Sequence, residues 1–102
     1  MQEWSQEEIE KLIKDRKSGL VYLYTPLCGT CQLASKMLTV IEQLLPDQLM
    51  GKADLNYMPE FAGILGVESV PCLIMIKDGN IQEKLYAFHS VPFLLDRIKS
   101  VL

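Results

Sequence analysis

At 102 residues the chain has room for one compact domain, against a usual domain size of roughly 100 to 150 residues. Residues of the AVILMFWYC set make up 49% and charged residues 23%, which fits a folding globule and excludes a disordered or fibrous chain. Ten Lys and Arg against 13 Asp and Glu, a formal net charge of -3, give no basic footprint for nucleic acid.

The opening Met1-Gln2-Glu3-Trp4-Ser5 is neither a basic leader nor an apolar run, and no stretch approaches the ~20 apolar residues of a membrane span. A cytoplasmic protein without membrane attachment is expected. Ser5-Gln6-Glu7-Glu8 reads as a capping box, with Ser5 and Glu8 each accepting a backbone N–H left unpaired by the first helical turn. Trp4 and Ile9 are placed for a hydrophobic staple, Ile9, Leu12 and Ile13 recur at helical spacing, and Gly19 reads as the C-cap. A leading helix over about residues 6 to 17 follows.

Leu20-Val21-Tyr22-Leu23-Tyr24 is near-continuously apolar, as suits a central strand covered on both faces, and Thr25-Pro26 ends it. From Cys28 to Leu45 the apolar residues Ala34, Met37, Leu38, Ile41, Leu44 and Leu45 keep a helical period, with Pro46 as the stop. Leu49 to Leu55 is a weaker strand, and Pro59 to Leu65 a short helix entered through Pro59 and closed by Gly66. Cys72-Leu73-Ile74-Met75-Ile76 is a buried-type strand, joined through Asp78-Gly79 in a hairpin to Ile81 through Tyr86. Ser90 caps a last helix carrying Leu94, Leu95, Ile98, Val101 and Leu102. Met37, Met50, Met58 and Met75 read as core filler, with exposure of Met58, beside Pro59, as the alternative.

Three cysteines are too few and too unevenly spaced for a disulfide scaffold, so their chemistry carries the functional reading. Cys28-Gly29-Thr30-Cys31 puts two thiols where a central strand meets a long helix, and the pair can close a small disulfide ring. The helix N-terminus stabilises a thiolate at Cys28 and lowers its pKa from the free value of about 8.5. Cys28 is therefore the expected nucleophile. Cys31, one turn further in, is expected to be more buried and to resolve a mixed disulfide.

Taken with Val70-Pro71 before the second buried strand, Lys77-Asp78-Gly79-Asn80 at the hairpin, and a βαβαββα order after the leading helix, the chain resembles the thioredoxin family over nearly all of its length. The resemblance implies one α/β domain over residues 1–102, three-layered α/β/α around a central mixed sheet. It implies thiol-disulfide exchange with protein disulfides by a monomer without bound cofactor, with thioredoxin reductase or a low-molecular-weight thiol as electron donor. It further implies a cis Pro71 against the disulfide and a Val70 backbone that pairs with an extended substrate lying toward Leu27. Lys52 matches a family lysine beneath the active site.

Where the family commonly has Trp-Cys-Gly-Pro-Cys, this chain has Leu27-Cys28-Gly29-Thr30-Cys31. Thr30 restores a backbone N–H and adds a hydroxyl, both able to donate to a thiolate, which predicts a lower Cys28 pKa and a more oxidising disulfide. Tyr22 occupies the position of the buried family aspartate that moves a proton to and from the resolving cysteine. A phenol of pKa about 10 is a poor base near neutral pH, so proton transfer at Cys31 falls to water or neutral Lys52. Ala87 replaces a family glycine in the loop after the last strand, and Lys36 a helix-kinking proline.

Two rival readings use the same cysteines. A Cys-x-x-Cys pair is also half of a zinc site, which Cys72 and the single histidine, His89, could complete, and an iron-sulfur cluster would need a fourth cysteine from a partner. Alternatively, oxidation of the pair switches binding to one partner. Cys72 itself reads as a small buried strand residue, with an accessory thiol as the alternative because of its place beside Pro71. His89 reads as a solvated loop residue.

Overall fold

The computed structural model describes residues 1–102. Its elements are β1 (Gln2–Glu3), α1 (Gln6–Lys14), β2 (Gly19–Tyr24), α2 (Gly29–Leu44), β3 (Met50–Asp54), a 3-10 turn (Leu55–Tyr57), α3 (Pro59–Leu65), β4 (Cys72–Lys77), β5 (Asn80–Leu85) and α4 (Val91–Val101). The five strands form one mixed sheet in the order β1-β3-β2-β4-β5. β1, β3 and β2 run parallel, while β4 runs antiparallel to β2 and β5 antiparallel to β4.

Strand alternation sends side chains to two cores. On one face Val21, Leu23, Ala53, Ile74 and Ile76 pack with Ile9 and Leu12 of α1 and Phe61 and Leu65 of α3. On the other, Leu20, Tyr22, Leu73 and Met75 pack with Ala34, Leu38 and Ile41 of α2 and Leu94 and Ile98 of α4. β2 and β4 are covered on both faces, as their unbroken apolar runs predicted.

The capping box is present: the Ser5 hydroxyl accepts from the Glu8 amide and the Glu8 carboxylate from the Ser5 amide, both at 3.2 Å. The leading helix ends at Lys14 and not near 17, because Asp15 is its C-cap and Arg16 takes the left-handed turn at φ 56°. The Lys17 amide donates to the Leu12 carbonyl and the Arg16 amide to that of Ile13, the two bonds of a Schellman motif without its usual glycine. Gly19, expected as the cap, instead opens β2, where a Cβ would lie 3.3 Å from both Leu12 and the Leu49 carbonyl.

The strand β1 was not foreseen. It is two exposed residues long and carries no period, yet it leads Trp4 into the core. Trp4 lies flat over Gly51, where a Cβ would fall inside the indole ring. Met58 is buried in that same cluster, in line with its reading as core filler. At the hairpin, Asp78 and Gly79 have φ 52° and 79°, the conformation that the Asp-Gly signal demands. Ser90 caps α4 by accepting from the Phe93 amide at 3.2 Å.

Candidate active site

The parallel strand β2 delivers the chain to the N-terminus of α2, and Cys28 is that helix's N-cap. Its Sγ accepts the Cys31 amide at 3.2 Å and faces the Thr30 hydroxyl at 3.3 Å. Cys28 and Cys31 are disulfide-bonded with Cα atoms 5.1 Å apart. With no hydrogen left on sulfur, the Thr30 hydroxyl is the donor. Cys31 is 2% exposed, whereas Cys28 is half-buried and Leu27, Gly29 and Thr30 are exposed. One sulfur can thus be reached from outside and the other only from within.

The Val70–Pro71 bond is cis. Pairing of Leu23 with Cys72 sets Pro71 at the C-terminal end of β2, on the side from which Cys28 emerges. Thr30, Leu33, Pro71, Tyr86, Phe88 and His89 share a groove of about 390 Å³ beside the disulfide. Ala87 lines it as well.

Beneath the disulfide, the Tyr22 hydroxyl donates to the Cys31 carbonyl at 2.8 Å and accepts from the Ser35 hydroxyl at 3.0 Å. Burial raises the Tyr22 pKa, only partly offset by the Ser35 bond. A phenol so engaged holds its proton near neutral pH, and it ties the first turn of α2 to the sheet. Tyr22 stacks on Tyr24 at 5.7 Å between centroids, and the Lys52 ammonium lies 5.6 Å from the Tyr24 ring centre. Lys52 thus sits by Tyr24, whose hydroxyl donates to both Glu3 carboxylate oxygens at 2.8 and 3.0 Å. Burial, with Glu3 second, pushes the Tyr24 phenol well above its ordinary pKa.

Cys72 is fully buried, and its thiol is pushed up to about 11 by burial, against smaller opposing effects of Tyr86 and Lys84. His89 is exposed, at φ 56°, with its ring edge-on to Phe93 at 4.6 Å. Cys28, Cys31, Cys72 and His89 do not converge, and no group of three or more His, Cys, Asp or Glu side chains is placed to hold a metal ion. Ser35 escaped the sequence reading because its partner lies 13 residues away across the core.

A disulfide between the end of a parallel strand and a helix N-terminus, with one cysteine half-buried and the other buried, defines a thiol-disulfide oxidoreductase. The thioredoxin family model matches residues 1–99, and the chain belongs to the thioredoxin family. It is 48% identical over 99 residues to the thioredoxin-like protein YusE of Bacillus subtilis (strain 168), covering 97% of this chain and 92% of that one. It is 34% identical over 70 residues to a thioredoxin of the same organism, covering 68% and 67% of the two chains. Among solved structures, oxidised mitochondrial thioredoxin 3 of Saccharomyces cerevisiae superposes with a TM-score of 0.84 at 26% identity, covering 98% of this chain and 94% of that one.

Proposed function

We propose that residues 1–102 act as a single, monomeric domain that exchanges disulfides with proteins in the cytoplasm, Cys28 attacking and Cys31 resolving. The Cys28 thiolate bonds to one sulfur of a substrate disulfide, and the other sulfur leaves as a thiolate that takes up a proton. Cys31, losing its proton to water, then attacks Cys28 Sγ and expels the first substrate sulfur. The substrate gains two electrons and two protons, and the protein is left with the Cys28–Cys31 bond. Thioredoxin reductase or a low-molecular-weight thiol restores the dithiol, and no bound cofactor takes part.

The substrate lies extended along Val70 and Pro71, toward the exposed Leu27. One observation carries the assignment of roles: Cys28 Sγ receives two donors at 3.2 and 3.3 Å at the helix N-terminus, while Cys31 is 2% exposed. The donors and the helix dipole favour a thiolate at Cys28. Native mass spectrometry across a series of thiol redox buffers tests it. Wild type should lose two hydrogens reversibly without bound metal, and Cys31→Ser should trap buffer thiol on Cys28. A metal-bound protein without that transition would move the pair to coordination.

A further inference from the structure

The segment from Gly66 to Pro71 carries Val70-Pro71 from the end of α3 to the start of β4. α3 closes on its first residues through the Gly66 amide to Gly63 at 3.2 Å and the Val67 amide to Ala62 at 2.8 Å. The remaining hydrogen bonds to this segment come from two side chains two residues apart. Lys84, on β5, donates its ammonium to the carbonyls of Leu65 at 3.3 Å and Gly66 at 2.9 Å. The Tyr86 hydroxyl, just beyond β5, accepts the Glu68 amide at 3.2 Å. The amides of Ser69 and Val70 have no partner within the chain. Gly66 stands at φ 70°, and a Cβ there would lie 2.7 Å from Lys84 Nζ, so the ammonium sits against the backbone where it leaves the helix.

A loop that keeps its last amides open cannot be fixed by a ladder of its own. Each free conformation lost on binding is a cost to affinity, and a loop already held in place avoids it. Tyr86 also lines the groove that Pro71 and Thr30 share, so the clamp and the disulfide meet the same cavity. We propose that Lys84 and Tyr86 are positioning residues that hold the Val70-Pro71 edge for a peptide partner, setting affinity for protein disulfides and not the rate of sulfur exchange. This rests on the reading of Val70 as the edge along which a substrate lies.

Lys84→Met keeps the aliphatic stem and removes both bonds, Lys84→Arg restores charged donors, and Tyr86→Phe keeps the ring and removes one acceptor. For each, KM and kcat are measured for reduction of insulin disulfides, and the second-order rate constant is measured with a small aromatic disulfide that needs no peptide edge. Lys84→Met should raise the insulin KM about threefold to tenfold, tenfold being about 1.4 kcal/mol, with kcat and the small-disulfide rate held to about twofold. Lys84→Arg should recover most of that loss, Tyr86→Phe should show a smaller rise, and the double variant should be less than additive because both residues hold one loop. A parallel fall of the insulin and small-disulfide rates would mean a structural role alone, and an unchanged KM in Lys84→Met and Tyr86→Phe would mean no role; either overturns the assignment. A wild type that reduces the small disulfide but not insulin would overturn the protein-substrate reading and the clamp with it. A wild type inert to both would instead remove the exchange function itself, and with it the clamp.

Discussion

Replacing Thr30 by Val keeps the β-branched shape and removes the hydroxyl that stands 3.3 Å from Cys28 Sγ. The Cys31 amide, at 3.2 Å, is the donor that remains. A hydrogen bond to a charged group contributes about 1.5–3 kcal/mol. Thr30 is exposed and its sulfur contact long, so water replaces part of the bond, and about 0.5–1 kcal/mol of thiolate stabilisation should be lost. With 30 mV equivalent to about 1.4 kcal/mol for a two-electron couple, the Thr30→Val disulfide should be about 10–20 mV more reducing than wild type. Thr30→Ser should stay near wild type, and Thr30→Pro should fall at least as far as Thr30→Val. The assay equilibrates each protein against graded dithiothreitol buffers, alkylates free thiols and reads the oxidised fraction by intact mass. A Thr30→Val potential equal to or above wild type, or an equal shift in Thr30→Ser, would refute the reasoning.

Gly51→Ala puts a methyl group inside the space of the Trp4 ring and should cost about 1–3 kcal/mol of overpacking. Urea unfolding with a red-shifted tryptophan emission checks it, and an unchanged midpoint would count against the packing described. Tyr22→Phe removes the bonds to Cys31 and Ser35 and should lower stability of the oxidised form by about 1–2 kcal/mol, seen as a lower urea midpoint at constant m. The pH profile has a definite sign. Cys72, Tyr22 and Tyr24 all have raised pKa values in the folded chain, so the folded state binds their protons more tightly than the unfolded one. Their contribution is complete below the unfolded values and disappears as pH rises, for Cys72 between 9.0 and about 11. Unfolding free energy should therefore fall through that window, and Cys72→Ala should make the fall shallower. A stability that holds constant there, or the same slope in Cys72→Ala, would contradict the burial of that thiol.

The helices α2 and α4 were legible because an apolar period spans each of them, and the strands β2 and β4 because their apolar runs are unbroken. Cys28 and Cys31 were legible for a related reason: their chemistry depends on a local junction, strand into helix N-terminus, which four consecutive residues reveal. The end of α1 was misplaced because the left-handed position is filled by Arg16, and nothing in its residue type announces φ 56°. β1 had no pattern to read, since only tertiary pairing to Gly51 and Lys52 makes it a strand. Ser35, Lys84 and Tyr86 were invisible as site residues for the same physical reason. Their partners stand 13 to 19 residues away, and which polar atoms meet depends on sheet register and helix rotation.

The groups beside and beneath the disulfide act in one direction. With Cys28 as the attacking thiol proposed above, reduction places negative charge on its Sγ, where the dipole of α2, the Cys31 amide and the Thr30 hydroxyl stabilise it. Beneath it, Tyr22 is neutral and its proton points at the Cys31 carbonyl, so no buried charge opposes the thiolate. A carboxylate at residue 22 would add a like charge in a region of low dielectric and favour the disulfide over the dithiol. Tyr22→Asp, measured at pH 8, should accordingly be more reducing than wild type, while Tyr22→Phe, which changes no charge, should keep the wild-type potential although it loses stability. A shift in Tyr22→Phe as large as that in Tyr22→Asp would trace the effect to a displaced helix and not to charge. If neither variant shifts, the potential is set at the helix N-terminus alone, and Thr30 becomes the residue through which this chain departs from a Cys-Gly-Pro-Cys thioredoxin.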